Sequence, residues 1–149
     1  MKMRFMDVAL SAFYYVQDFS VDLLATDGET MYFNGQMLGG EYRQNRIEVN
    51  RAYLHLVLHC IFRHVFRRNG REELVWNLAA DIAVESVIDD WNLQNIRKSQ
   101  SWIRQRTYRD LKEEIKVFTA EKIYGVLVRW KLSDREICLL YTSDAADEL

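Results

Sequence analysis

The apolar positions fall into blocks whose spacing changes along the chain, and each change predicts an element. In residues 4–17, Phe5, Val8, Leu10, Phe13 and Tyr14 recur at roughly helical intervals, which predicts a first helix. In VDLLATDGETMYFNG, two short apolar runs flank Asp27-Gly28. Glycine accepts the positive φ of a tight turn, so this stretch predicts a β-hairpin. Residues 48–67 are apolar on nearly every side, the pattern of a central buried helix. Arg67, Arg68, Asn69 and Gly70 end it, with cations at the negative end of the dipole and glycine as the stop. Residues 72–91, EELVWNLAADIAVESVIDDW, predict a second long helix whose Glu72 and Glu73 suit its positive end. From Asn92 to Lys116 the chain is polar and basic, a loop with a shorter helix near 107–116. KVFTAEKIYGVLVRWK then predicts a helix with Thr119 as N-cap. The class is α+β, dominated by helices, with one hairpin or small sheet.

Composition narrows the class further. The 149 residues are 49% hydrophobic and 28% charged, ordinary for a globular protein and long enough for one domain with a real core. No apolar run reaches the roughly 18 residues of a membrane span. Asp7 interrupts the apolar N-terminal stretch, which argues for a helix over a signal peptide. Two cysteines, Cys60 and Cys138, supply no disulfide framework, and the expected location is the cytoplasm.

The C-terminal end changes the boundary. Ser133-Asp134-Arg135-Glu136 is a capping box that opens a further helix. Residues 138–149, CLLYTSDAADEL, resemble the in-frame translation of a transposase-type sequencing adapter. They are set apart as an artefactual tail, leaving 1–137 as the expected domain and as the N-terminal fragment of a longer protein. Without Asp144, Asp147 and Glu148 the formal charge moves from −2 to +1.

All three histidines lie in YLHLVLHCIFRH, residues 53–64. Each helical residue advances about 100°, so His55 and His59 project within about 40° of each other and can reach one Zn²⁺ at about 2 Å. His64 lies about 140° around from His59 and cannot join them unless the helix breaks first; capping or packing is its expected role. Two imidazoles left unpartnered in an apolar helix would cost a few kcal/mol. Spacing alone leaves a shared metal and simple packing both open. Asn77, Asp81, Glu85 and Asp89 recur every four residues in the next helix. They read either as its wet side or as the source of an anionic third ligand, Asp81 or Glu85. Cys60 points about 100° from His59 and reads as core.

Four segments together carry a family resemblance: ATDGETMYFNG, NRAYLHLVLHCIFRHVFRR, WNLAADIAVE and FTAEKIYGVL, in that order over about residues 20–127. The chain resembles the putative metallopeptidase domain that precedes von Willebrand factor A-like domains in bacterial proteins. The resemblance implies a zincin-like core built on an HxxxH helix. It places His55 and His59 on the two histidines of an HExxH motif, and His64 on a later histidine that often accompanies them. It places Asp81 as the third zinc ligand ahead of Glu85, which stands where the family commonly has asparagine. It also sets the strand Met31–Asn34 beside the cleft as an edge for an extended peptide, and it implies a MoxR-type ATPase as partner. Leu56, however, stands where HExxH has glutamate. That glutamate takes a proton from metal-bound water, and its loss costs about 10²–10⁴-fold in rate. Glu48 lies about 10 Å up the helix, too far to replace it. Glu85 is the better substitute, although a ligand serves poorly as a base. The expectation is a zinc site without ordinary peptide hydrolysis.

Two other classes compete. One is a metal-free interaction or scaffold module whose histidines only pack. The other is nucleic-acid binding through residues 97–109, where Arg97, Lys98, Arg104, Arg106 and Arg109 accompany aromatics without an acid. A solvated basic loop is the plainer account of that stretch.

Overall fold

Asp27 and Gly28 turn the chain as their sequence predicts. Gly28 sits at φ 104°, and Asp27 Oδ1 accepts from the N–H groups of Glu29 at 3.0 Å and Thr30 at 2.8 Å. The turn joins β2 (Leu24–Thr26) to β3 (Thr30–Phe33) in an antiparallel pair with Ala25 opposite Tyr32. The computed structural model describes residues 4–145 of the chain, with side chains from 7 to 141.

A further strand, β1 (Tyr14–Gln17), pairs parallel with β3 on its other side, so the sheet order is β1-β3-β2. Two expectations change here. The helix predicted over 4–17 is α1 (Arg4–Ser11) only. Tyr14, Tyr15 and Val16 are aromatic and β-branched, and pairing with β3 overrides the helical spacing. The strand Met31–Asn34, expected at an edge, is central. Met31 is buried and both sides of β3 are hydrogen-bonded, so no peptide can add to it. Among the described strands, the open edges belong to β1 and β2.

Asn34 follows β3 and caps α2 (Gly35–Gln44), its Oδ1 accepting from Met37 N–H at 3.3 Å. Asn45 ends that helix and starts the next, α3 (Arg46–Ile61), by accepting from Glu48 N–H at 3.3 Å. Val49, Leu54, Val57 and Leu58 form the buried stripe of α3. Each such side chain contributes about 1.5–3 kcal/mol of apolar transfer. Buried Arg51 donates to Ile96 O at 3.1 Å, tying residues 92–97 to α3.

The helix predicted over 48–67 stops six residues early. Phe62 closes α3, Arg63 adopts the left-handed conformation at φ 57°, and a single 3₁₀ turn covers His64–Phe66. This first compact unit comprises the chain up to Arg67 together with Asn92–Arg97.

The second unit takes Arg68–Trp91 and the chain from Lys98 onward. Its central helix is α4 (Glu73–Trp91). Glu72 caps it, the carboxylate accepting from Leu74 N–H at 3.1 Å and Val75 N–H at 2.8 Å. Around it stand α5 (Trp102–Glu114), α6 (Ala120–Trp130) and α7 (Asp134–Ala145). Thr119 caps α6 as its sequence predicts, accepting from Lys122 N–H at 3.3 Å. Ala79, Ala80 and Ala83 let α4 approach α6 closely, and Ile123, Val126 and Leu127 fill that seam. The capping box at Ser133 forms in both directions, Glu136 Oε2 accepting from Ser133 N–H and Ser133 Oγ from Glu136 N–H. The helix it opens continues through residues 138–145, with Leu140 and Tyr141 packed on the core beside buried Ile137. The protein is thus α+β, helix-dominated, with one small sheet. Among the described residues no helix is long and apolar enough to cross a membrane.

Candidate metal site

The one-turn spacing of His55 and His59 on α3 brings their rings together. Nε2 of His59 lies 2.8 Å from Nε2 of His55, with ring centroids 4.5 Å apart. The break at Arg63 then does what a continuous helix forbids: it turns His64 back toward the last turn of α3. His64 Nδ1 lies 3.0 Å from His59 Nδ1, and His64 is buried. The three imidazoles form a row in which His59 is engaged at both nitrogens. No glycine marks this break, so the local sequence carries no signal for it.

Asp81 sits on α4, partly buried. Among the described residues, one group of three potential ligands could hold a metal ion: His55, His59 and Asp81, with one ligand atom of each lying within 4.8 Å of the others. Three atoms bound about 2 Å from a tetrahedral ion stand roughly 3.3 Å apart. Two imidazole nitrogens and one carboxylate suit a borderline divalent cation and leave a coordination position open.

The carboxylate stripe on α4 is not a wet face. Glu85 is buried and Asp89 nearly so, its side chain 5% exposed, and buried Arg104 of α5 reaches both. Its guanidinium stands 3.4 Å from Glu85 Oε2 and 3.6 Å from Asp89 Oδ2. Tyr108 donates to Asp89 Oδ2 at 2.9 Å, and burial together with Asp89's charge pushes its phenol far above the ordinary range. A space of about 30 Å³ beside Asp81, Glu85, Arg104 and Tyr108 has room for about one water. Glu85 therefore serves a buried ion cluster, and the candidate metal group does not include it.

That cluster also corrects the basic stretch. Arg104, offered by sequence as a phosphate contact, is buried among acids, while Arg106 and Arg109 both stand 3.7 Å from Asp110. The helix predicted near 107–116 begins at Trp102, capped by Ser101, and draws Arg104 inside. Sequence spacing gave no sign of this, because a cation in a basic run reads as solvated.

Leu56 is half-buried on α3 beside His55. Cys60 is also half-buried; its Sγ lies 3.5 Å from Thr26 Oγ1, and burial pushes its thiol up. A cleft of about 710 Å³ is lined by Asp89, Asp90, Arg109, Lys112, Glu113 and Lys116 among others. Its lining contains none of the three candidate ligands.

No curated protein and no solved structure matches the chain. A family model described as "putative metallopeptidase domain" matches residues 3–147. A paired-histidine helix with an aspartate in reach is thus found in a chain that belongs to the putative metallopeptidase domain family.

Proposed function

We propose that this chain is a zinc-binding, zincin-like domain of metallopeptidase type whose hydrolytic activity is impaired. One observation carries the metal: His55, His59 and Asp81 present ligand atoms within 4.8 Å of one another. His55 and His59 would hold the ion through nitrogen and Asp81 through oxygen, its charge offsetting part of the cation's. Bound zinc would supply an activated water and polarise a carbonyl. The chain's own residues set the limit. Leu56 has no group to take the proton from that water, and Glu85, the substitute considered from sequence, is engaged by Arg104. The resemblance further supports a following von Willebrand factor A-like module and a MoxR-type ATPase partner, and two cysteines without a disulfide framework support a cytoplasmic location, as parts of this proposal.

A second reading rests on the same row of imidazoles. Contacts at 2.8 and 3.0 Å let the three rings satisfy one another with shared protons and no metal, as a scaffold or interaction module would need. Elemental mass spectrometry of the full chain, purified without added metal, separates the two. The metal reading predicts about one zinc per chain, lost in His55→Ala/His59→Ala. A folded wild type without zinc, and without uptake when zinc is supplied, supports the scaffold.

A further inference from the structure

We infer that His64 is a positioning residue that locks His59 in the tautomer and orientation a metal requires. The inference rests on the metal reading above and assigns His64 a role other than ligand.

The geometry divides the two nitrogens of His59 between two tasks. Its Nε2 faces His55 Nε2 at 2.8 Å, while its Nδ1 faces His64 Nδ1 at 3.0 Å. His64 thus contacts the nitrogen across the ring from the one that faces His55. A ligand nitrogen must offer a lone pair, so His59 Nε2 must carry no proton. A neutral imidazole then carries its proton on Nδ1, which donates to His64. His64 accepts at its own Nδ1 and keeps its proton on Nε2. An acceptor at that place fixes the tautomer, stops rotation of the ring and raises the basicity of Nε2.

The backbone makes this contact possible. A continued helix would carry His64 about 140° around from His59. Arg63 instead adopts φ 57°, a conformation that disfavours side chains with a Cβ. The turn packs His64 to 6% exposure, with the Phe62 ring centroid 5.5 Å from its own. Fixed in this way, His64 can hold the ring of a neighbour rather than follow it.

The test measures zinc affinity of the full chain by chelator competition, for wild type, His64→Asn and His64→Leu. Asparagine places an amide oxygen near the position of Nδ1 and can accept; leucine fills space and cannot. The expected result is a 10–100-fold weaker affinity in His64→Leu and most of the affinity kept in His64→Asn. Nitrogen-15 NMR of the zinc-loaded wild type, which needs no variant to fold, should show His59 protonated at Nδ1. Equal affinity in wild type and His64→Leu, equal loss in both variants, or a His59 proton on Nε2 would each overturn the assignment. A wild type that takes up no zinc overturns the metal reading and this inference together.

Discussion

Removing the guanidinium of Arg104 should cost the second unit much of its stability, because two buried carboxylates lose the cation that faces them both. Arg104 and Asp89 are each 5% exposed at the side chain and Glu85 is 10% exposed. The cation lies 3.4 and 3.6 Å from the two acids. An exposed pair at such distances contributes about 0–1 kcal/mol. Breaking a buried pair costs about 3–5 kcal/mol, because the remaining charge keeps its desolvation penalty and loses its partner. Against a typical total of about 5–15 kcal/mol, Arg104→Met should therefore consume roughly a fifth or more. With a urea slope of about 2 kcal/mol per molar, the midpoint should fall by roughly 2 M when followed by far-ultraviolet circular dichroism. The double variant Arg104→Met/Glu85→Leu removes one of the two buried acids and should recover part of the loss. Asp89 keeps its hydrogen bond from Tyr108, which limits the remaining cost. A loss below about 1 kcal/mol in the single variant, or no recovery in the double, would refute the buried-ion argument.

Leu56→Glu should raise zinc-dependent peptide hydrolysis by about 10²–10⁴-fold if the missing base is what limits the chain; unchanged hydrolysis in a zinc-loaded variant would count against that cause. Gly28→Val should destabilise the fold by about 1–3 kcal/mol by denaturant titration. The new Cβ would stand 2.7 Å from Phe66 Cε2 at a backbone φ of 104°, so a wild-type midpoint would contradict the turn geometry. Asp27 is held below the usual carboxylate range, chiefly by the Thr30 and Glu29 N–H groups and then by Tyr32. Its stabilising effect is therefore complete above the ordinary carboxylate pKa of about 4 and is lost as pH falls through its lowered folded value. In thermal melts across pH, the gap between wild type and Asp27→Asn should stay constant near neutrality and narrow as pH falls below about 4; a gap that does not narrow in acid would exclude this linkage.

Local chemistry settled the features that lie within a few residues of their cause. The Asp27-Gly28 turn, the Thr119 cap and the Ser133–Glu136 capping box all form where their residue types require them, because each depends on hydrogen bonds between near neighbours. The long helix over 72–91 was legible for the same reason, its small and apolar residues favouring helix whichever face is covered. The pairing of His55 with His59 follows from helical periodicity alone. What the sequence could not reveal was decided by distant partners. Tyr14–Gln17 becomes a strand only because β3 offers it an edge, and α2, with no buried residue of its own, leaves no apolar stripe to read. Arg104 is inside because Glu85 and Asp89 wait on another helix. The break at Arg63 belongs to this second class: no local residue demands it, yet it places His64 against His59 and changes the candidate site from a pair of imidazoles to a row of three. Short-range hydrogen bonding and periodicity are written into adjacent residues, whereas desolvation and tertiary pairing are properties of what the folded chain brings together.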